Sequence, residues 1–466
     1  MISLSLSEIA SCVDGQLVGS EKIIESITTD TRAINAGELF IALRGDNFDG
    51  HNFLAKAIEK GCAGVLVDHQ CDLDIAQIIV KDTKVALGQI GAYIKAQVAP
   101  KTVAITGSSG KTTVKEMVAA ILSQLGSILA TKGNFNNDIG VPLTLLRLER
   151  HHQYAVIELG ANHQGEIAYT SGLVKPDVAL INNIAAAHLE GFGSLQGVAQ
   201  AKGEIFSGLI AQGTAIFNRQ SLFADEWQWR LSDKKVCTVS VDEVADCYSS
   251  NIKLDESGCA AFLLTTPVGQ QTIQLTLPGE HNVANALAAA AVAINLGASL
   301  QEVATGLLSM SPVKGRLNLY PLTQNFTVID DSYNANVDSV KAAIDLLANY
   351  SGQRLLVLGD MAELGTEGES YHQEIGQYAK AAGINQLFTF GELSTHTAKG
   401  FYQDEESFIE NHFTNKSELS AQVLAQQATT VEQFTVLVKG SRSAHMEEVV
   451  NTLLEWRKGQ TQEDKG

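Results

Sequence analysis

An apolar run passes directly into a glycine-containing loop, Thr106-Gly-Ser-Ser-Gly-Lys-Thr-Thr113. This order predicts a strand, a tight turn and the start of a helix. In such a unit Gly107 and Gly110 let the backbone approach an anion, and free N–H groups at the helix start point towards it. Lys111 adds a positive charge, and the Thr112 hydroxyl suits Mg²⁺. The loop is two residues shorter than the Gly-x4-Gly-Lys-[Ser/Thr] pattern, yet it predicts a phosphate site.

The length and charge of the chain limit the classes of protein to consider. A chain of 466 residues is too long for one hydrophobic core, so about two to four domains are expected. The net charge of −19 disfavours binding to nucleic acid and to anionic membranes. An anionic substrate would therefore need local positive pockets. The lysines and arginines in the motifs described here are therefore candidates to bind it.

Cysteine spacing and apolar runs indicate a soluble, cytoplasmic protein. The six cysteines contain no Cys-x-x-Cys pair, so buried free thiols are expected rather than a disulfide scaffold or a metal site. Met1–Ser20 lacks the basic and apolar regions of a secretory signal. The apolar run Ala286–Ile294 is too short to cross a bilayer and predicts a core helix, so no membrane insertion is expected.

Alternating apolar strands and helices predict an α/β protein of three domains. Residues 1–82 indicate a small mixed α/β domain, and Thr83–Val98 a connecting helix. Residues 83–313 predict a central doubly wound parallel sheet, and residues 314–466 a second, Rossmann-like α/β domain. The segment 222–257 receives no assignment, and the polar tail Trp456–Gly466 is expected to fray.

Two polar residues follow predicted central strands. Glu158 closes the run Ala-Val-Ile-Glu, and His188 comes shortly after the strand Val178–Ile181. Ligands of parallel sheets gather at the carboxyl ends of strands, so these side chains are expected to converge with Thr112. A carboxylate and a hydroxyl suit Mg²⁺, whereas an isolated histidine is more often structural. Together they predict one metal ion, or a second one beside His188, with Mn²⁺ as an alternative.

Further polar residues lie where the central and last domains would meet. Asn282 could hydrogen-bond an adenine edge or cap a helix. Arg316 could stack on a base or neutralise phosphate, and Asp331 follows another apolar strand, with a plain Asx-turn as its alternative. Lys202, on a predicted helix, would ordinarily be solvated or salt-bridged.

Taken together, these segments resemble the Mur ligase family of ATP-dependent amide-bond-forming enzymes, over essentially the whole chain. The shared pieces are Thr106–Thr113, Glu158-Leu-Gly160, the Asn-Ile-x-x-x-His run ending at His188, Lys202, His281-Asn282 and Arg316. Further motifs are similar to those of the member that joins D-alanyl-D-alanine to UDP-N-acetylmuramoyl-tripeptide. They are Gly133–Thr144, Tyr333-Asn-Ala-Asn336, Gly359–Gly365, Lys439-Gly-Ser-Arg442, Thr29-Asp-Thr-Arg32 and Gly45–His51.

The resemblance implies a role for each matching residue. The catalytic set would be Lys111, Glu158, His188 and Lys202, with Thr112, Glu158 and His188 as metal ligands and Lys202 carbamylated by CO₂. ATP would contact Gly107, Ser108, Ser109, Gly110, Lys111, Thr112, Thr113, Asn282, Arg316 and Asp331. The UDP-linked peptide and the dipeptide would contact Thr31, Arg32, Asn137, Asn334, Asn336, Ser441 and Arg442.

The implied reaction activates the peptide carboxylate as an acyl phosphate, which the dipeptide amine attacks, in peptidoglycan precursor synthesis. A monomer is expected, with closure of the last domain about Thr83–Pro100 and Val313–Gly315. The absence of an Asp-Asn-Pro-Arg motif argues against the sister enzyme that adds the third amino acid. Folylpolyglutamate synthetase, which lacks a UDP-binding first domain, and a nucleotide-dependent switch remain as alternatives.

Overall fold

Three α/β units follow one another along the chain, and each is built around its own sheet. The computed structural model describes residues 1–45, 47–402 and 404–463. Asp46 of the Gly45–His51 motif and residues 464–466 of the predicted frayed tail therefore lie outside the described residues. Within those described ranges, no helix is long and apolar enough to traverse a lipid bilayer.

The first unit contains a five-stranded sheet of order β2-β9-β8-β5-β4, in which only β2 is antiparallel to its neighbour. A two-stranded pair, β1–β3, and a short hairpin, β6–β7, accompany it. The elements are β1 (Leu4–Ser5), α1 (Leu6–Cys12), β2 (Gln16–Val18), β3 (Ile23–Ile24), β4 (Ile27–Thr28), β5 (Leu39–Ile41), β6 (Arg44–Gly45), β7 (Phe48–Asp49), α2 (Leu54–Glu59), β8 (Gly64–Val67) and β9 (Ala76–Ile79). The predicted mixed α/β character of this segment is confirmed.

The predicted connecting helix, Thr83–Val98, is α3 and has the predicted bounds. The Asp82 carboxylate caps it by accepting from the N–H groups of Lys84 and Val85, and Ala99 ends it in the left-handed region. This helix packs against α1 and against two later helices of the central unit. Apolar side chains on one face of the first unit and on one face of the central sheet form one continuous buried cluster, and the other face of the first unit has a cluster of its own.

The central unit carries a nine-stranded sheet of order β11-β12-β10-β13-β14-β15-β16-β17-β18. Its elements are β10 (Lys101–Thr106), α4 (Lys111–Leu122), β11 (Ile128–Ala130), α5 (Gly140–Leu145), β12 (Tyr154–Glu158), α6 (Glu166–Val174), β13 (Val178–Ile181), α7 (Leu189–Phe192), α8 (Leu195–Gly203), α9 (Ile205–Gly208), β14 (Thr214–Asn218), α10 (Ala224–Trp227), β15 (Lys235–Ser240), β16 (Cys247–Leu254), β17 (Cys259–Thr266), β18 (Gly269–Pro278), α11 (His281–Asn295) and α12 (Leu300–Leu308). The alanine-rich run is the buried helix α11, as predicted.

The prediction of a parallel central sheet needs one correction. Pairing is parallel from β11 through β16, but β16, β17 and β18 form an antiparallel meander at one edge. In β17 buried and part-buried residues alternate, the pattern of a strand with one partly solvated face. The unassigned segment 222–257 supplies α10, β15 and β16.

The last unit has a six-stranded sheet of order β19-β20-β24-β21-β22-β23, parallel except for β19. Its elements are β19 (Asn318–Pro321), β20 (Phe326–Asp331), α13 (Val337–Ala348), β21 (Gln353–Gly359), α14 (Gly368–Ala381), β22 (Gln386–Phe390), α15 (Ser394–Phe401), α16 (Glu405–Glu410), β23 (His412–Phe413), α17 (Lys416–Thr429), β24 (Phe434–Lys439) and α18 (Glu447–Glu463). Helix α18 continues through most of the tail that was expected to fray, so that prediction is wrong up to Glu463.

The last unit contacts the central unit at separate places. The Asn336 side-chain N–H group donates to the Ser108 carbonyl oxygen at 3.3 Å. The Tyr350 hydroxyl donates to the Ser257 carbonyl oxygen in the β16–β17 turn at 3.2 Å. The backbone N–H group of Glu190 faces the Glu363 carbonyl oxygen at 3.4 Å. The cavities described below lie along this boundary.

Candidate active site

The loop between β10 and α4 presents the start of a helix to a cavity. Gly110 has φ +74°, and a Cβ atom there would lie 2.6 Å from the Asn182 side-chain nitrogen, so glycine is required on both grounds. The first N–H groups of α4 have no intrahelical acceptors, and with the helix dipole they favour an anion. The predicted phosphate-binding geometry is present in the backbone.

Two serines of this loop are fixed by the segment after β13. The Ser108 hydroxyl donates to the Ala185 carbonyl at 3.0 Å and accepts from the Ala185 N–H group at 2.9 Å. The Ser109 hydroxyl accepts from the Asn183 amide at 2.9 Å, and the Ser109 N–H group donates to the Asn183 side-chain oxygen at 2.8 Å. Asn183 therefore holds the loop shape, although it was not among the predicted site residues.

Lys111 lies at the centre of the positive charge in the cavity. Its Nζ atom donates to the Gly107 carbonyl oxygen at 2.7 Å. Confinement in the cavity lowers the pKa of this ammonium group, Arg316 lowers it further, and the nearby carboxylates of Glu158 and Glu363 oppose the shift. A triphosphate beside Lys111 would favour its charged form, so binding and protonation would support each other.

Glu158 is held by hydrogen bonds on both carboxylate oxygens. The Thr112 hydroxyl donates to Oε2 at 3.0 Å, and the Asn136 amide donates to Oε1 at 2.8 Å. Its own N–H group donates to the Thr131 hydroxyl at 3.0 Å, and the buried Lys115 ammonium donates to the Thr131 carbonyl at 2.7 Å. Asn136 and Lys115 thus position the carboxylate, and neither was among the predicted site residues.

His188 lies in the left-handed region at φ +54°, a strained conformation for a non-glycine residue. Its Nδ1 atom contacts the carboxylate of Glu363 from the last unit. This hydrogen bond is the main cause that lowers the pKa of Glu363. With Nδ1 directed at Glu363, Nε2 is the ring nitrogen left for a metal ion, which is the arrangement of many metal-ligating histidines.

Lys202 is buried on α8 and is 1% exposed. Its Nζ atom lies 5.8 Å from the centre of the Phe192 ring, and the described residues offer it neither a hydrogen bond nor an ion pair. Burial lowers the pKa of this amine well below its usual value, and the positive charge of Lys111 adds to the shift. The lowered pKa favours the neutral, nucleophilic form of this amine.

One cavity of 390 Å³ collects most of the predicted catalytic side chains. Both the central and the last units line it. Among the predicted residues it is lined by Ser108, Ser109, Gly110, Lys111, Thr112, Asn137, Glu158, His188, Arg316, Asn334, Asn336 and Arg442. Arg316 stacks on Tyr333 with 4.4 Å between the guanidinium carbon and the ring centre. Residues from distant parts of the chain thus meet at one site.

A second cavity of 270 Å³ adjoins the first and shares Ser109, Gly110 and Arg316 with it. Thr113, Asn282 and Asp331 also line it. The Asn282 amide donates to the Pro278 carbonyl at 2.7 Å and accepts from Asn285 at 2.9 Å, so part of its capacity is already used. Helix α11 begins at His281, so Asn282 is not its N-cap.

Asp331 is paired inside the second cavity with a lysine that was not a predicted site residue. The Lys439 ammonium donates to Asp331 Oδ2 at 2.5 Å, and both side chains are buried. Lys439 is the first residue of the motif Lys439-Gly-Ser-Arg442, so that motif could have identified it as a site residue. The pairing leaves one oxygen of Asp331 for another partner.

Three predicted substrate contacts lie outside these two cavities. Thr31 is buried in the first unit, and Arg32 is exposed there and paired with Asp30 at 2.8 Å. The Ser441 hydroxyl is buried 3.1 Å from that of Ser443 and lines neither cavity. Asn336 reaches the cavity but also caps α13 by accepting from the Ser339 N–H group. These contacts stay predictions.

Comparison with known proteins identifies the class to which this fold and site belong. Residues 23–107 match the family described as Mur ligase family, catalytic domain; residues 105–293 match the Mur ligase middle domain, and residues 315–442 the Mur ligase glutamate ligase domain. The chain belongs to the Mur ligase family.

Several known proteins match this chain over nearly their full length. The UDP-N-acetylmuramoyl-tripeptide–D-alanyl-D-alanine ligase of Escherichia coli is 49% identical over 461 residues, covering 98% of this chain and 99% of the relative. A crystal structure of MurF from Acinetobacter baumannii is 38% identical, with a TM-score of 0.92, over 97% of this chain and 99% of that one. MurF from Thermotoga maritima, solved with ADP, shares the fold at 23% identity, with a TM-score of 0.81 over 93% and 98%.

Proposed function

We propose that this chain is an ATP-dependent ligase that joins D-alanyl-D-alanine to UDP-N-acetylmuramoyl-tripeptide in peptidoglycan synthesis. The observation that carries this function is the convergence of Lys111, Glu158 and His188 in one cavity faced by the last unit. The full-length similarity to ligases of that name supplies the substrates. Because the reaction consumes ATP, we propose that the protein acts in the cytoplasm.

The reaction proceeds in two transfers. The terminal carboxylate of the tripeptide attacks the γ-phosphorus of ATP, which releases ADP and leaves an acyl phosphate. The amine of D-alanyl-D-alanine then attacks the acyl carbon, and the tetrahedral intermediate loses phosphate and a proton to give the amide. Phosphorylation is needed because a carboxylate is a poor electrophile.

The protein contributes position and charge to these steps. Lys111 and the N-terminus of α4 would hold the β- and γ-phosphates, and Arg316 and Arg442 add positive charge to the same cavity. Asn282, Arg316 and Asp331 would hold adenosine along the second cavity. Thr31 and Arg32 in the first unit would receive the UDP end, and Asn137, Asn334, Asn336 and Ser441 would contact the peptide substrates.

The donor set beside the phosphate loop fits Mg²⁺. The Thr112 hydroxyl and Glu158 Oε2 lie 3.0 Å apart, and both are the hard oxygen ligands that this ion prefers. Glu158 and His188 would hold a second ion, for which Mn²⁺ is an alternative. Bound there, a divalent ion would neutralise charge on the transferring phosphoryl group.

The environment of Lys202 fits carbamylation. A neutral amine reacts with CO₂ to form a carbamate and release a proton, and burial lowers the pKa of this amine, which favours its neutral form. The product is an anion, which the nearby positive charge of Lys111 would stabilise. We propose that this anion supports the second metal ion.

A phosphate-release assay tests the function. With the tripeptide nucleotide present, D-alanyl-D-alanine should support release, whereas D-alanine alone and L-amino acids should not. Release that needs only ATP would favour a nucleotide switch. Activity with single amino acids but not the dipeptide would leave the family assignment in place and overturn the substrate assignment.

A further inference from the structure

Two histidines and an aspartate lie together in the first unit, outside both cavities. His51 is in the 3₁₀ turn Gly50–Phe53 after β7, and Asp68 and His69 follow β8. One potential ligand atom from each residue lies within 4.8 Å of the others. The steps of the proposed ligase reaction do not use these side chains.

The orientation of His51 is fixed from behind by a carboxylate. Its Nδ1 atom lies 2.6 Å from Asp49 Oδ1, and its Nε2 atom accepts a long hydrogen bond of 3.3 Å from the Asp68 N–H group. The hydrogen therefore resides on Nδ1, and the lone pair of Nε2 faces Asp68. A carboxylate behind an imidazole in this way is the usual outer support of a metal-bound histidine.

Asp68 stands between the two imidazoles. Its Oδ1 atom lies 3.2 Å from His51 Nε2 and 2.5 Å from His69 Nδ1, and the ring centres are 5.0 Å apart. Two ligands bound about 2.0–2.1 Å from one tetrahedral ion lie about 3.3 Å from each other. The His51–Asp68 pair already has this separation, and a small movement of the exposed His69 ring would complete the set.

The local charge favours a cation. Arg44 Nε lies 2.9 Å from Asp68 Oδ2 and 3.5 Å from Asp49 Oδ2, so it balances one of the two carboxylates and leaves one negative charge. Arg44 Nη2 also donates a long hydrogen bond of 3.4 Å to Asp68 Oδ1, and the same oxygen faces both imidazoles at shorter distances. The His69 side chain is 57% exposed, which leaves an entry path and room for water as a further ligand.

We propose that His51 Nε2, Asp68 Oδ1 and His69 Nδ1 bind a divalent transition-metal ion, with Zn²⁺ as the preferred ion. Two nitrogens and one carboxylate oxygen suit Zn²⁺ better than Mg²⁺, which prefers oxygen ligands alone. The ion would tie the β6–β7 hairpin and its following turn to the end of β8. His51 also ends the motif Gly45–His51, but no step of the proposed ligase reaction uses this ion.

The test uses Co²⁺ as a spectroscopic probe on the full-length chain, with excess Mg²⁺ to occupy oxygen sites. One equivalent of Co²⁺ should give visible ligand-field absorption that Zn²⁺ abolishes. H69A and D68N should lose that absorption; His69 is exposed and Asp68→Asn is nearly isosteric, so both should fold. H151A, in the exposed His151–His152 pair, is the matched control and should keep it.

Two outcomes would overturn the proposal. One is the absence of ligand-field absorption in the unmodified chain. The other is unchanged absorption in both H69A and D68N. An E158Q variant separates this site from the phosphate cavity: the absorption should persist there, and its loss in E158Q alone would place the ion beside Glu158.

Discussion

The imidazole of His188 contacts the carboxylate of Glu363 across the boundary between the central and last units. One residue follows a strand of the nine-stranded sheet, and the other lies after a strand of the six-stranded sheet. Because His188 also lines the proposed catalytic cavity, the position of the last unit influences the orientation of a proposed metal ligand. We therefore predict that closure of the last unit and the chemistry are coupled.

Replacing Glu363 with glutamine should lower kcat by about tenfold, because loss of an outer carboxylate typically costs 10–100-fold in metal affinity or activity. The measurement is phosphate release as a function of Mg²⁺ concentration. E374Q is a matched control, since Glu374 pairs with Lys341 on the same unit away from the cavity. Equal kinetics of E363Q and E374Q would contradict the coupling.

The same contact should have a defined pH dependence. The pKa of Glu363 is lowered in the folded chain from a reference value of 4.5, so its stabilising effect is present above pH 4.5 and lost as pH falls further. Glu363 is about half exposed, so the effect should be about 0.2–1 kcal/mol. The difference in unfolding free energy between wild type and E363Q should be constant from neutral pH to about 5 and shrink below 4.5.

Asn136→Ala should weaken the apparent Mg²⁺ affinity by about 10-fold or more, since Asn136 fixes one oxygen of Glu158. Titration of activity with Mg²⁺ at saturating ATP measures this effect. Asn349→Ala, an amide in the last unit that bonds only the Asp345 carbonyl, should leave the titration unchanged. An unaltered Mg²⁺ dependence in N136A would show that Asn136 does not position the carboxylate for the ion.

Lys202 should carry a carbamate that can be labelled. In ¹³C-bicarbonate the protein should give a carbamate resonance that disappears in K202A. Acidification should remove it, because protonation of the amine competes with its reaction with CO₂. Lys115, buried but hydrogen-bonded to Thr131, is the internal control, and K115M should retain the resonance. A resonance that survives K202A would refute the assignment.

Gly315 should be intolerant of a side chain at the junction of the central and last units. Its φ is +71°, and a Cβ atom would lie 3.1 Å from Tyr333 Cβ. Gly383 has φ +78° with nothing within 4 Å, so G383A isolates the backbone strain of about 1–2 kcal/mol. G315A should lower the free energy of unfolding, measured with denaturant, more than G383A does. G315A should also reduce kcat. Equal costs would show that crowding against Tyr333 is unimportant.

Small-angle scattering tests the expected closure. ATP and the UDP-linked substrate together should compact the protein, with rotation about residues 313–315. Helix α3 packs against both the first and the central units, so hinge motion within Thr83–Pro100 would have to occur at the ends of this helix. No compaction of the wild-type chain would contradict closure.

Local sequence patterns were sufficient to predict the bounds of several helices and strands. The bounds of α3, β12 and β13 follow from their apolar runs, and the phosphate loop follows from its glycines and lysine. The antiparallel meander was missed because its alternating strands follow a segment with little periodicity. Asn136, Asn183 and Glu363 were missed because their partners lie far away in sequence, and nothing local indicates that an amide will meet Glu158.

The turn between β16 and β17 reaches the last unit far from the phosphate loop. Ser257 accepts from Tyr350 there, while Ser108 meets Asn336 and His188 meets Glu363 elsewhere along the boundary. Contacts at three separated places restrain the orientation of the last unit more than one or two contacts would. The length of the β16–β17 hairpin therefore helps to set the orientation of the last unit. One residue inserted into that hairpin should change the alignment of the side chains that line the cavity.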